Sequence, residues 1–258
     1  MQEVIINIGG MVYLMAERPV FISHLDRKDF VEKRNIEFEW FPGFSIKQKQ
    51  KSILSFHENI KEKYPTLKVL EVSSKSNCKL GIELSAFNLM VNGKNNTAFS
   101  VETAFQASKV FELGGPFVDL YQKNSREAKK DPRIRNSGQL LYFQFFSRKF
   151  ELEPKTFFYD WLYINALHLN KELSNQVVEY DAFTDIEFNP QKSINCQARA
   201  AALYVSLYKL GLLEKAVTSV ENYKEIVTSK IVEKNVDKEK EKKAEIQQLS
   251  IFNTIMDE

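Results

Sequence analysis

Phe99-Ser-Val-Glu-Thr-Ala-Phe-Gln-Ala-Ser-Lys-Val-Phe111 carries the densest pattern in the chain, and the rest is read outward from it. Ser100 stands where a helix N-cap belongs and Gly114-Gly115-Pro116 supplies a stop, so a helix is expected from Ser100 to about Glu112. At helical spacing Glu102, Gln106 and Lys109 fall at i, i+4 and i+7 and form one polar stripe. Val101, Ala104, Phe105 and Ser108 lie beside it as a packing face. Spacing alone leaves two readings open. The stripe is the solvated face of an amphipathic helix, or it brings a carboxylate and an amine into one cleft for acid–base or Schiff-base chemistry.

Upstream, residues 20–23 and 36–40 read as strands, with Pro42-Gly43 turning the chain after the second. Ser45 caps a helix to about Lys63 with Ile46, Ile53, Phe56 and Ile60 on one side, and Pro65 ends it. Residues 67–72 read as a short buried strand, and residues 81–89 as a turn entering an extended or short helical piece. Residues 1–17 are expected to be an N-terminal extension, weakly strand-like over 1–14, with Met11 and Met15 as alternative starts. Downstream, residues 125–138 make a basic helix–loop with Arg126, Lys129, Lys130, Arg133 and Arg135. Pro154 opens a helix to about Leu173 that is apolar on nearly every face and therefore buried. Residues 194–210 form another, with Ala198, Ala200, Ala201 and Ala202 at close-packing positions. Residues 230–245 hold six lysines and five acids, a solvated helix or charged linker. The expected fold is α+β: one predominantly helical domain with a small β component over 18–220, then a charged helical or flexible tail over 221–258.

With 258 residues and 43% of them hydrophobic, the chain can bury a sizeable core, and 12% aromatics exclude disorder for most of it. Lysine and arginine total 36 against 34 acids, so a strongly basic nucleic-acid coat is excluded, although a local patch is not. No apolar run approaches the ~20 residues of a membrane span, and no basic segment precedes a long apolar core as in a secretory signal. Cys78 and Cys196 cannot make a disulfide framework, which fits a reducing cytoplasm. His24, His57 and His168 lie too far apart for a helical metal pair and no Cys-x-x-Cys exists, so neither a metal nor a cofactor is expected.

The central stretch resembles the Glu-x-x-aromatic-Gln-x-x-Lys signature of the NADAR superfamily, the NAD- and ADP-ribose-associated domains. Further words agree in order. Leu84-Ser-Ala-Phe87 is similar to the family's Leu-Ser-Asn-Phe element, with Ala86 where many short members have Asn. Ser125-Arg-Glu-Ala-Lys-Lys-Asp-Pro-Arg133 resembles its basic Ala-Lys segment, and residues 195–210 its closing Asn-x-x-small-x-x-Leu helix. The longer frame resembles one branch, the NADAR antitoxins encoded beside DarT-type guanosine-specific DNA ADP-ribosyltransferase toxins. That frame comprises Arg18-Pro-Val-Phe21, Gly43-Phe-Ser-Ile-Lys-Gln-Lys-Gln-Lys-Ser52, Glu71-Val-Ser-Ser-Lys-Ser76 and Glu153-Pro-Lys-Thr-Phe-Phe-Tyr-Asp-Trp-Leu162. The Trp-Gly element of short members is not evident in residues 181–193.

The resemblance implies an enzyme that removes ADP-ribose from guanine bases of DNA, as an antitoxin or a phage counter-defence. Lys109 would capture the opened ribose as a Schiff base, with Glu102 shuttling the proton and Gln106 beside them. Substrate contacts are expected from Ser74, Lys75 and Ser76, from the basic Arg126, Lys129 and Arg133, and from Asp160, Trp161 and Asn195. Each of these has a plain structural alternative: a surface turn, a solvated basic helix, core packing or a helix cap. Which of Asp160, Asp181 and Asp185 assists is left open. Two other readings stand beside this one: an N-glycosidase for a small ribosylamino metabolite, and a non-catalytic ADP-ribose-binding module. Near the end, Gln248-Leu249-Ser-Ile251-Phe252 looks like the pentapeptide that docks bacterial polymerases and repair proteins on the sliding clamp. The alternative is an apolar tail folding back on the domain.

Overall fold

The computed structural model describes residues 4–8, 11–25, 30–92 and 98–228, with side chains from residue 14 onward. The elements run β1 (Val4–Ile8), β2 (Met11–Ser23), β3 (Val31–Glu39), α1 (Ile46–Lys63), β4 (Val69–Glu71), α2 (Lys79–Glu83), β5 (Met90–Asn92), β6 (Ala98–Ser100), α3 (Val101–Ala107) and β7 (Lys109–Phe111). After a 3₁₀ turn, Val118–Gln122, come α4 (Ser125–Lys130), α5 (Arg133–Asn136), β8 (Leu140–Phe145), β9 (Arg148–Phe150), α6 (Phe157–Leu169), α7 (Lys171–Val177), β10 (Ala182–Thr184), α8 (Gln197–Lys209), α9 (Leu213–Thr218) and α10 (Val220–Thr228). The fold is mixed α+β, as its sequence leads one to expect.

β2 organises the main sheet. It pairs antiparallel with β3 on one edge, and with β1 and then β10 on the other, while β10 pairs parallel with β4. The boundary expected at residue 17 falls inside this strand. Because side chains alternate along a strand, Val20 and Ile22 join Ile36 and Phe38 beneath α1, whereas Phe21 joins the larger core built around α6 and α8. α1 answers with Ile53, Phe56 and Ile60, all buried, each contributing about 1.5–3 kcal/mol of apolar burial. Ile46, expected on that side, is exposed. Phe56 stacks on Phe38 with centroids 4.6 Å apart. On the opposite face the small residues Ala200, Ala201 and Ala202 let α8 approach closely. Ser206 Oγ then pins it, donating to the Phe30 carbonyl at 2.6 Å and accepting from His24 N at 3.0 Å.

The helix expected to reach Glu112 stops at Ala107. Ser108 Oγ turns back to the Ala104 carbonyl at 2.8 Å, and Gln144 N–H takes the Ser108 carbonyl at 2.7 Å. Those bonds compete with helix propagation, and Lys109 opens β7, paired with Phe143 of β8. The long apolar helix likewise divides. Thr156 sits at φ 70°, so α6 starts after it, and Asn170 caps α7 through Leu173 N.

The β4–α2 corner depends on Gly81. A Cβ there would lie 2.0 Å from the Glu71 carbonyl oxygen and 2.4 Å from Ser76 Oγ. Gly81→Ala should therefore lower the unfolding free energy by about 2–4 kcal/mol in urea titrations, because backbone must shift. Gly211→Ala, with nothing within 4 Å of its Cβ, should cost only the ~1–2 kcal/mol of its positive φ.

Candidate active site

Ser100 Oγ accepts from Thr103 N at 3.0 Å and starts α3, whose residues are all buried. Glu102 and Gln106 are each 6% exposed, so the polar stripe does not face water. Gln106 Nε2 donates to Glu102 Oε1 at 2.9 Å, and Lys109 Nζ donates to Gln106 Oε1 at 2.8 Å. Lys109 thus meets the stripe from the first residue of β7, not from the helix on which its spacing had placed it. Lys129, from α4, brings its Nζ to 3.5 Å from the same Glu102 oxygen.

Burial pushes the Lys109 amine down to about 8; the nearby Glu102 charge opposes this and the Lys129 charge adds to it. Roughly one amine in ten is then neutral near pH 7. Its Nζ also stands 4.9 Å from the Phe105 ring centroid, an apolar neighbour that helps strip water from the charge.

Glu102 is fixed from two helices away. Its N–H donates to the Ala86 carbonyl at 2.8 Å. Ala86 N in turn donates to Gln197 Oε1 at 2.7 Å, while Gln197 Nε2 donates to the Val72 carbonyl at 2.6 Å. Tyr163 Oη holds the Leu84 carbonyl at 2.7 Å. The Leu84–Phe87 loop therefore acts through its backbone, and alanine suffices at position 86.

Phe105 also lines a cavity of about 260 Å³ with Phe143, Phe158, Tyr159, Thr156 and Asn195. The aromatic walls suit a planar ring, and Thr156 and Asn195 supply polar groups at its rim. Asn195 does not cap α8; Cys196 holds that position. Thr156 holds its left-handed backbone, unfavourable for a β-branched residue, while its hydroxyl donates to Asp160 Oδ2 at 2.7 Å. Asp160 is buried, its pKa raised by burial against the pull of Arg199, whose Nη1 bonds the same oxygen. Trp161 packs among Phe145, Phe150 and Phe158.

A second acidic pair lies between β4 and β10. Glu71 accepts from Thr184 Oγ1 at 2.6 Å and Ile186 N at 2.8 Å. Asp185 accepts from Glu187 N at 3.0 Å, and burial followed by the Glu71 charge pushes its carboxyl far up. Burial raises the Glu71 carboxyl as well. His57 Nε2 reaches Thr184 Oγ1 at 2.8 Å, and burial lowers that imidazole to about 4. Asp181 instead ties Lys68 N and Lys209 Nζ.

The remaining expected residues are dispersed. Ser76 Oγ accepts from Cys78 N inside its turn, while Ser74 is exposed and Lys75 half-buried. Arg133 is committed to Asp119 and Asp131 by paired bonds of 2.7 to 3.1 Å; Arg126 is exposed. Gln248, Leu249, Ile251 and Phe252 lie outside the described residues. Among those described, no group of three or more His, Cys, Asp or Glu is placed to hold a metal ion, and no helix is long and apolar enough to cross a membrane. Sequence reading missed Arg199, Gln197 and Tyr159. A lone charge and an amide among the alanines of α8 were the available signal, since such groups are buried only with partners.

The family described as DarT1-associated NADAR antitoxin matches this sequence over residues 16–237. No curated protein matches it.

A lysine held at about 8 instead of its ordinary 10.5 costs folding energy while it is charged. Below pH 8 the native state carries that full cost; between 8 and 10.5 the native amine has lost its proton, the unfolded one has not, and stability rises with pH. Lys109→Met should accordingly raise stability at pH 7, by at most about 3 kcal/mol, and the gain should shrink as pH climbs toward 10 in thermal melts.

Proposed function

This chain belongs to the DarT1-associated NADAR antitoxin family, and from that premise we propose that it removes ADP-ribose from guanine bases in DNA, reversing the toxin's modification. The observation that carries the proposal is the Lys109–Gln106–Glu102 chain, an amine lowered to about 8 and linked through an amide to a buried carboxylate beside an aromatic cavity.

The bond to be broken joins the ribose anomeric carbon to the exocyclic amine of guanine, an aminal. Ring opening leaves a protonated imine between that carbon and the guanine nitrogen, with the ring oxygen taking a proton. The neutral Lys109 amine adds to the carbon, a proton passes from Lys109 to the guanine nitrogen, and guanine leaves with its NH₂ restored. The lysine imine that remains is hydrolysed by one water, releasing ADP-ribose and the free amine. Glu102 is the carboxylate positioned to carry the protons, with Gln106 aligning it and Lys129 paired with it at 3.5 Å. The cavity beside Phe105 is suited to a purine or the ribose next to it. Guanine's exocyclic amine lies in the minor groove, so a bulky adduct projects toward the enzyme without full extrusion of the base.

Purified protein should release ADP-ribose from an ADP-ribosylated oligonucleotide, and borohydride should trap a covalent adduct on Lys109. Lys109→Ala should give neither product nor adduct; Glu102→Gln should slow turnover by about 10²–10⁴-fold. The kcat/KM of the wild type should climb with pH and level above about 8 as the amine loses its proton. Wild-type rates in Lys109→Ala would overturn the mechanism. Hydrolysis of small ribosylamino compounds with inert DNA adducts would transfer the activity to a metabolite.

We extend the proposal to the tail. Gln248-Leu-Ser-Ile-Phe252 follows the charged stretch and suits an apolar cleft on the sliding clamp, with Gln248 giving oriented hydrogen bonds. Docking there would concentrate the enzyme where a guanine adduct stalls synthesis. A peptide of residues 244–258 should bind purified clamp at micromolar strength, and Leu249→Ala with Phe252→Ala should abolish binding.

A further inference from the structure

The segment Gly43-Phe-Ser-Ile-Lys-Gln-Lys-Gln-Lys51 belongs to the frame that resembles the toxin-associated branch, yet nothing in the reaction above uses it. Gly43 takes φ +130°, a left-handed backbone suited to glycine, and Ser45 caps α1 by accepting from Gln48 N. Between them Phe44 stands fully exposed at 102%. Ile46 follows, half exposed, and the first turn of α1 contains no acid. Lys47 and Lys51, four residues apart, share an exposed face of the helix. Cations at a helix N-terminus oppose its dipole, and a bare phenylalanine gains no packing, so Phe44 and Lys47 do not serve the fold, while Lys51 Nζ lies 5.7 Å from the Phe41 ring centroid. Both serve a polyanion whose bases offer flat faces.

Lys49, between the two exposed lysines, is turned inward. Its Nζ lies 4.5 Å from the Trp40 ring centroid and 3.4 Å from Glu187. Glu187 N–H in turn donates to Asp185. The tip is thereby anchored to the segment that carries Asp185 of the buried acid pair, and Asp185 lies close enough to Tyr159 of the cavity wall to act on its charge.

We infer that the tip of α1 is a second DNA contact, in which Phe44 stacks on an unpaired base flanking the modified guanosine and Lys47 and Lys51 neutralise phosphates of the same strand. This rests on the reading that DNA carries the substrate. Charge complementarity and the single projecting ring favour a nucleic acid strand over a protein partner, whose interface calls for a broader apolar patch.

The test compares Phe44→Ala and the double variant Lys47→Glu/Lys51→Glu with the wild type. The substrates are a short single-stranded oligonucleotide bearing one ADP-ribosylated guanine and the isolated ADP-ribosyl-guanosine. Both variants should keep the wild-type melting temperature and nucleoside turnover. On the oligonucleotide Phe44→Ala should lose about tenfold in kcat/KM, and the double variant should flatten the log–log salt dependence of binding by about 1.4, or roughly 0.7 for each phosphate. Equal rates of wild type and variants on the oligonucleotide overturn the contact, as does an equal loss on the nucleoside. A Phe44→Ala protein that binds DNA normally but loses a dimer or its affinity for the toxin overturns it too. Failure of the wild type on both substrates would refute the proposed reaction instead; anisotropy with the unmodified oligonucleotide still decides the contact, a wild-type salt slope in the double variant being its refutation.

Discussion

One side chain sets the positions on which the rest depends. Gln197, in the first turn of α8, spends its carbonyl on Ala86 N and its amide on the Val72 carbonyl. It also reaches the buried Asp185. The strand that leaves the main sheet, the loop that receives α3 and the acid pair between β4 and β10 thus share one buried amide. With its partners unmade, each of these buried groups would carry the ~1–3 kcal/mol of an unsatisfied hydrogen-bonding atom. Because Ala86 also takes the Glu102 N–H, the register of the Glu102 carboxylate follows from a residue almost a hundred positions later in the chain.

Local chemistry was legible; distant partners were not. Ser45 and Ser100 announced their helices because an N-cap is a property of a few adjacent residues. The stripe of Glu102, Gln106 and Lys109 was read from helical spacing, and the three do touch, though the helix ends before the lysine. Gln106 is long enough to bridge from α3 to the first residue of β7, so the contact outlives the geometry that suggested it. The helix end itself depends on Gln144 and Phe117 taking the carbonyls of Ser108 and Ala107, strand and loop partners that no local pattern contains. Arg199 beneath Asp160, thirty-nine positions away, belongs to the same class. Asp160 inside an apolar helix signalled that a partner existed, not which one.

Charge is placed with the same economy. Arg133 looked like part of a phosphate patch, but Asp119 and Asp131 surround it, and hydrogen bonds from that guanidinium hold the Asp119 carboxyl below the usual range and Asp131 well below it. It secures the loop between α4 and α5 against the small core of Phe117 and Leu120. Lys129 leaves the patch in the other direction, toward Glu102. From there its charge discourages a proton on Lys109.

Those assignments bear on how a chain of net charge +2 would act on the polyanion proposed as its substrate. With two of the basic residues of α4 and α5 engaged internally, a uniformly attractive surface is unavailable, and long-range attraction falls off within about 10 Å at moderate salt. Under the proposed function, affinity would come from contacts made at short range: the aromatic cavity next to Phe105 and a few exposed lysines. Such a division favours discrimination. On the proposed reading, unmodified DNA would meet only the sparse lysines, whereas a strand carrying the adduct would also fill the cavity next to Phe105 and present its anomeric carbon to Lys109. If the chain acts on rare lesions amid a large excess of intact DNA, as proposed, it gains more from that contrast than from a stronger field, because non-specific binding rises with every added phosphate contact and the excess of competing sites multiplies it.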